Sequence, residues 1–578
     1  MAKKDLLVIE MNNKEDMECF NFREKLKIAQ KPYDYFKEIK NLNFDQLASS
    51  DRIFLQDFGI YNNELNDEEF MLRLRFPAGR ISNNSLLLIS NLAQKYNLQI
   101  ILTARAGIQL HGLNSSNILE VFNQINSQNI SSYQSFGDNI RNITSDIFDG
   151  IGVYNIIEVF PYIEQMQSYI LNHPDYIGLL PRRLSIGISG SYANVNSCFA
   201  SDIYFALAKK DNVFGFNVYL GGKNTQIAQD VNIFLYKEEL FEFFKAFIQM
   251  FNKYGLRLDR QRNRLYNLIE EIGIEKLKEY LKEYYNKKLE TKGELLLEKK
   301  NFNEFEKLKN SKYSFCYRSL FARIEASELL EIANWAIKDD LEVRLGTDQQ
   351  IYIFNLLEPK ASIIHYNGNR TMLACAGSDF CPYAYWNIKE EIQSLPLEKI
   401  ERNNILVGFS GCLKGCAKHE HSDIGLVGLK SDIHGKREKT ARIYLGGLYT
   451  FGEANARKIF NAIPLYSLKE ILEIIIDEYE QSGYPTFESF SKNLLNNFDT
   501  DFLSSWFLAK FKTKEKVYLK KNLNEIELFK KYFKKYSFYN IQENKNFYNI
   551  TQILYKDLWF SKESKEDEKL NNTYILKA

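Results

Sequence analysis

Four of the seven cysteines in this chain stand in two tight pairs, and they are the residues best suited to chemistry. The first pair lies in Leu373-Ala-Cys375-Ala-Gly-Ser-Asp-Phe-Cys381-Pro382, with five residues between the sulfurs. The second lies in Phe409-Ser-Gly-Cys412-Leu-Lys-Gly-Cys416-Ala417, with three. Four thiolates brought together from two loops supply one sulfur per iron of a 4Fe-4S cluster, and the glycines and proline let the backbone wrap it. A structural zinc site would use the same ligand type, but its cysteines usually stand two to four residues apart, which the five-residue gap fits poorly. Four unrelated buried thiols are the third possibility, because free cysteine is commonly buried. Cys19, Cys198 and Cys316 read as ordinary buried or half-buried thiols.

Cys-x5-Cys, then Ser-Gly-Cys-x3-Cys, then Asp423-Ile-Gly-Leu-Val-Gly428 resembles the signature of the sirohaem-dependent nitrite and sulfite reductases. The resemblance implies that Cys375, Cys381, Cys412 and Cys416 hold a 4Fe-4S cluster and that Cys416 is also the axial ligand of the sirohaem iron. The family usually reads Cys-Pro-Asn-Gly-Cys; here Leu413 and Lys414 replace the proline and asparagine. Lys414, between two ligands, is placed to raise the cluster potential or to point to solvent.

Reducing a small oxyanion needs cations aimed at its oxygens and nearby proton sources, and arginine suits the first task because it is permanently charged and fork-shaped. The resemblance assigns the anion to Arg73 in Leu72-Arg-Leu-Arg75, Arg141 in Gly137-Asp-Asn-Ile-Arg-Asn142, and Arg183 in Leu180-Pro-Arg-Arg-Leu-Ser185. Arg105, in Thr103-Ala-Arg-Ala106, matches an arginine that binds sirohaem carboxylates or borders the substrate pocket. Arg73 and Arg75 are expected to point to opposite faces of their strand, so that only Arg73 enters the site. Ser185 is neutral where sulfite reductases usually carry a second lysine. A cation lost near 4 Å forfeits up to about 4 kcal/mol toward an anion at intermediate dielectric, which favours singly charged nitrite over sulfite.

The expected reaction is thus six-electron reduction of nitrite to ammonium, or of sulfite to sulfide. A precorrin-oxidising monooxygenase of cobalamin synthesis shares the fold without sirohaem, and its Cys-Ala-Lys-Gly-Cys-Ala resembles Cys412-Leu-Lys-Gly-Cys-Ala417. A cluster-bearing electron-transfer protein is a third class. No Gly-x-Gly-x-x-Gly opens a helix after a strand, so the electrons are expected from a separate protein, ferredoxin first and a flavoprotein second.

The elements that must position these residues are repeated. Gly79-Arg-Ile81 and Ala322-Arg-Ile324 are 243 residues apart, as are Leu102 and Leu345, and Ile108 and Ile351. Ile188-Ser-Gly190 through Ser201-Asp-Ile203 corresponds to Phe409-Ser-Gly411 through Ser422-Asp-Ile424 at 221, with Ser191 at Cys412 and Val195 at Cys416. Both copies carry Tyr-Leu-Gly-Gly, at Tyr219 to Gly222 and Tyr444 to Gly447, and Gly446 and Gly447 are expected to let the backbone approach a flat cofactor.

The reading is an internally duplicated α+β chain: two ferredoxin-like half domains plus two mixed α/β domains, with the cofactors at their junction. The boundaries expected are a helical arm at 1–66, half domains at 67–130 and 310–360, a cluster-free domain at 131–295, a cluster and sirohaem domain at 365–495, and an extension at 500–578. The 75 basic and 74 acidic residues nearly cancel, which argues against a nucleic-acid partner. No apolar run is long enough to span a bilayer, and Leu6-Leu-Val-Ile9 is too short for a signal peptide, so no membrane association and a cytoplasmic location are expected.

Overall fold

The computed structural model describes residues 20–63, 65–128, 130–173, 176–194, 198–300, 302–363, 371–433, 436–513 and 518–520. Cys19, Val195 and the extension beyond 520 lie outside these. The chain divides into two compact units, Met1–Gly368 and Asn369–Ala578.

In the first unit two five-stranded sheets exchange a strand. One has the order Ile60–Asn63, Asn66–Arg75, Gly107–Leu113, Gln99–Thr103 and Arg323–Ile324. The other runs Phe305–Lys307, Tyr313–Tyr317, Ile351–Leu356, Glu342–Leu345 and Arg80–Ile81. Strand Ile60–Asn63, placed by sequence in the N-terminal arm, is the edge of the first sheet, paired to Asn66–Arg75 by a short hairpin. The exchange keeps the 243-residue offset to the residue: Arg80 pairs with Arg344 in one sheet and Arg323 with Ile101 in the other. Helices Asn83–Tyr96 and Ala326–Lys338 pack on each other at the same offset.

Backbone geometry repeats with it. Positive φ occurs at Ala78 and Phe321, Gly79 and Ala322, Asn97 and Asp340, Ala106 and Gln349, and Gly112 and Asn355, each pair 243 apart. Asn97, Asp340 and Asn355 are of types that tolerate this region, whereas Ala78, Ala106, Phe321, Ala322 and Gln349 are strained there. Gly79 shows why the turn is tight: a Cβ would stand 2.0 Å from the Leu345 carbonyl oxygen.

The first unit also holds a mixed sheet ordered Ile140–Ser145, Leu184–Ser189, Ile203–Lys210, Val213–Leu220 and Gln229–Tyr236, the first three parallel and the rest antiparallel. Its strands are nearly continuous apolar runs because both faces are covered. One cover is helix Leu240–Tyr254, whose Leu240, Phe243, Phe244, Phe247 and Phe251 follow helical spacing and are fully buried.

The second unit repeats this sheet as Met372–Ala374, Val407–Ser410, Ile424–Ile433, Lys436–Leu445 and Arg457–Pro464. Its parallel register is that of the first copy moved by 221: Ile186 pairs with Ile203, and Val407 with Ile424. A buried aspartate pins both. Asp202 accepts the Ser185 amide at 2.8 Å, and Asp423 accepts the Leu406 amide at 2.9 Å. Helix Thr500–Thr513, assigned by sequence to the extension, belongs to this unit's core. Its Trp506 is fully buried and donates to Glu478 of helix Leu465–Ser482 at 2.7 Å.

Candidate functional site

In the second unit, strands Met372–Ala374 and Val407–Ser410 run side by side and parallel, with Ala374 opposite Phe409. Their carboxyl ends therefore release two loops at one place, and those loops carry Cys375, Cys381, Cys412 and Cys416. The Gly411 amide donates to Cys375 Sγ at 3.0 Å. Glycine is required there, since a Cβ would meet Ala384 Cβ at 2.7 Å and Cys375 Sγ at 3.3 Å.

The Cys416 charge acts on each of the other three thiols. Burial pushes Cys375 up to about 12, with Cys416 adding to it, against the pull of the Gly411 and Gly377 amides. Burial also raises Cys381 and Cys412, opposed by the amides of Tyr383 and Ala384 and of Lys414 respectively. Such thiols stay neutral until metal charge displaces their protons. Backbone N–H donors aimed at three of the four sulfurs are what cluster thiolates need, so the residues present fit a 4Fe-4S cluster. Among the described residues no three His, Cys, Asp or Glu side chains are grouped to hold a single metal ion. A cluster asks for less, because each thiolate serves its own iron.

The first unit brings the four arginines together. Arg141 comes from strand Ile140–Ser145, Arg73 from strand Asn66–Arg75, Arg105 from the turn after strand Gln99–Thr103, and Arg183 from the residue before strand Leu184–Ser189. Burial pushes the Arg141 guanidinium well below its ordinary value, and the charges of Arg183, Arg73 and Arg105 push it further, with Asp138 opposing. Arg183 is pushed down by burial, then by Arg264 and Arg105. Like charges repel in this half-buried setting, so this gathering is costly until an anion enters.

The backbone holds Arg141 in place: its Nη atoms donate to the Ser135 and Gly137 carbonyls, while its buried Nε has no hydrogen-bond partner. Arg73 and Arg141 lie over the Phe136 ring, at 4.5 and 5.1 Å from its centroid, a cation–π support that composition does not reveal. Asn142 is the other residue that sequence reasoning missed. Its Nδ2 lies 2.7 Å from the Phe76 carbonyl and 2.8 Å from that of Arg105, tying the turns beside Arg73 and Arg105 to the strand of Arg141. Asn142 ends the motif that nominated Arg141, so the signal was present.

Three expectations change. Residues two apart on a strand share a face, so Arg73 and Arg75 are not separated by alternation. They differ in depth: Arg75 is fully buried, donates to the Arg141 carbonyl at 2.9 Å and to that of Tyr133 at 3.3 Å, and is pushed down to about 9 by burial. Ser185 is bound to the fold instead of facing an anion, its Oγ donating to Asp202 at 2.7 Å, where Arg264 also pairs at 2.7 Å. Gly446 has φ +87°, and Cβ atoms at Gly446 and Gly447 would meet Asn496 Oδ1 at 2.4 Å and the Ser422 carbonyl at 2.8 Å. The protein's own packing therefore accounts for both glycines, as it does for Gly222 against the Ser201 carbonyl at 2.2 Å.

Residues 63–128 match the family described as nitrite/sulfite reductase ferredoxin-like half domain, and residues 136–289 match nitrite and sulphite reductase 4Fe-4S domain. The chain belongs to the nitrite and sulfite reductase family of oxidoreductases, whose cofactors are a 4Fe-4S cluster and sirohaem. It is 26% identical over 496 residues to the ferredoxin–nitrite reductase of Synechococcus elongatus, covering 80% of this chain and 97% of that protein. It is 26% identical over 519 residues to the chloroplastic ferredoxin–nitrite reductase of Arabidopsis thaliana, covering 79% and 86%. The solved structure of Mycobacterium tuberculosis NirA superposes with a TM-score of 0.74 at 21% identity, over 83% of this chain and 97% of that one, and so shares the fold. No helix among the described residues is long and apolar enough to cross a membrane.

Proposed function

We propose that this protein reduces nitrite to ammonium in the cytoplasm, taking six electrons singly from a ferredoxin-type donor. The observation that carries the reading is the gathering of Arg73, Arg105, Arg141 and Arg183, whose mutual repulsion a bound anion would relieve. Arg73, Arg141 and Arg183 hold the nitrite oxygens, and Arg105 takes a sirohaem carboxylate. Cys375, Cys381, Cys412 and Cys416 would hold the cluster, and Cys416 would also serve the sirohaem. When bound, the two groups store and pass the electrons and supply the iron at which nitrite is reduced. Each pair of electrons must be matched by protons as oxygen leaves as water.

Nitrite is preferred over sulfite because the position of Ser185 carries no cation: its hydroxyl and amide are engaged by Asp202. The relatives named as ferredoxin–nitrite reductases support the same choice and do not favour the precorrin-oxidising alternative. The test is steady-state turnover per sirohaem with reduced methyl viologen, on nitrite and on sulfite. A clearly higher kcat/KM for nitrite is expected; a higher value for sulfite overturns the ranking, and absence of sirohaem from the purified protein overturns the reading.

A further inference from the structure

Lys414 lies between two of the cluster cysteines, where the family usually has a neutral asparagine. Its side chain is exposed, yet it is held: the Nζ stands 3.1 Å from the centroid of the Tyr383 ring. Tyr383 lies two residues after Cys381, so this contact bridges the two cysteine loops. Lys414 is two residues from both Cys412 and Cys416, and the ring that holds it is two residues from Cys381, so the cation is fixed beside both loops.

We infer that Lys414, clamped on Tyr383, is a positioning residue for electron transfer that sets the cluster's reduction potential. The inference rests on the cluster assignment proposed above. One electron entering the cluster lowers its net charge by one, so a fixed positive charge beside the thiolates favours the reduced form and raises the potential. A lysine free to wander in solvent would have little effect, because water and salt screen an exposed charge. The Tyr383 ring face removes that freedom. The potential then governs how readily a one-electron donor fills the cluster. The change from asparagine to lysine thus shifts the donor range toward weaker reductants.

The experiment is an EPR-monitored redox titration of the full-length holoenzyme, with iron content as control. Lys414→Gln and Lys414→Glu should move the cluster midpoint progressively to more negative values, Lys414→Arg should restore it, and the shifts should shrink at high salt. Tyr383→Phe should keep the wild-type potential, and Tyr383→Leu should reproduce part of the Lys414→Gln shift. Iron content should be unchanged throughout, because both side chains lie at the surface. Equal midpoints for wild type, Lys414→Gln and Lys414→Glu at full iron content would overturn the inference while leaving the cluster assignment intact. Wild-type protein that holds no cluster after reconstitution would overturn both.

Discussion

The two copies of the mixed sheet share strand order, parallel register and the buried aspartate that pins the second parallel strand, and they differ in what the paired loops contain. In the second copy the residue after Ala374 is Cys375. In the first copy, where Ser145 pairs with Ile188 as Ala374 pairs with Phe409, the next residue is Asp146. Ser191 stands at the position of Cys412. The first copy's loop end is packed shut: about 10 Å³ of open space remains beside Asp146 and Asn155, and Phe148 stacks on Phe302 at 4.7 Å between ring centroids. The same backbone thus carries metal ligands in one copy and an aromatic plug over a buried acid in the other. The parallel strand ends supply a place for chemistry, and only the side chains decide whether it is used.

The largest test of this contrast is all or none. Cys412→Ser should abolish cluster iron and the associated visible absorption, whereas Ser191→Ala in the first copy should leave iron per chain unchanged. Equal iron loss in both variants would mean that the first copy's loops also serve the cofactors.

Asp146 gives the next effect. Burial, reinforced by Asp149, pushes its carboxyl up to about 7 from an ordinary 3.8, against Ser191, the Phe148 amide and Arg344. The folded value lies above the unfolded one, so the folded state binds the extra proton between them. Stability from this group is therefore full below about 4 and is lost as pH rises toward about 7. Asp146→Asn should remove that loss, raising stability at pH 8 by up to about 4 kcal/mol and flattening the pH dependence of thermal unfolding. A midpoint at pH 8 that does not rise would show that Asp146 is ionised and satisfied.

Arg73→Gln should separate the tasks of the two units. Iron and sirohaem content should persist, while kcat/KM for nitrite falls by roughly 10- to 100-fold, the value of one charge-assisted hydrogen bond. Loss of cofactor instead of activity would make Arg73 structural.

The glycines after Tyr-Leu give the smallest expected difference. Gly222→Ala drives a Cβ to 2.2 Å from the Ser201 carbonyl, and Gly447→Ala to 2.8 Å from that of Ser422. Both should lower the melting temperature, Gly222→Ala more, at roughly 1–3 kcal/mol. Loss of sirohaem in Gly447→Ala without loss of stability would return that glycine to the cofactor.

The duplication was legible because it rests on local patterns. Glycines, strand alternation and helix placement repeat at 243 and 221 residues, and each copy carries them in its own stretch of chain. Cysteine spacing was legible for the same reason, since a loop must supply its ligands from within itself. The equivalence of Asp146 and Cys375 was hidden, because they are 229 residues apart and the loops beyond them differ in length. Only strand pairing restores the alignment.

Sequence by itself determined that this is a doubled α+β chain, which four cysteines share two loops, and which arginines are candidates for an anion. Tertiary structure decided the depth and partner of each charge. Arg75 became a buried brace for Arg141 while Arg73, two residues away, stayed half-buried over Phe136. Arg182 faces Asp138 at 3.6 Å while Arg183 joins Arg141 and Arg105, and Ser185 was taken by Asp202. A guanidinium's role depends on burial and on charges brought from distant parts of the chain, and no local pattern records those, because folding alone sets which solvent each group loses and which neighbour it gains.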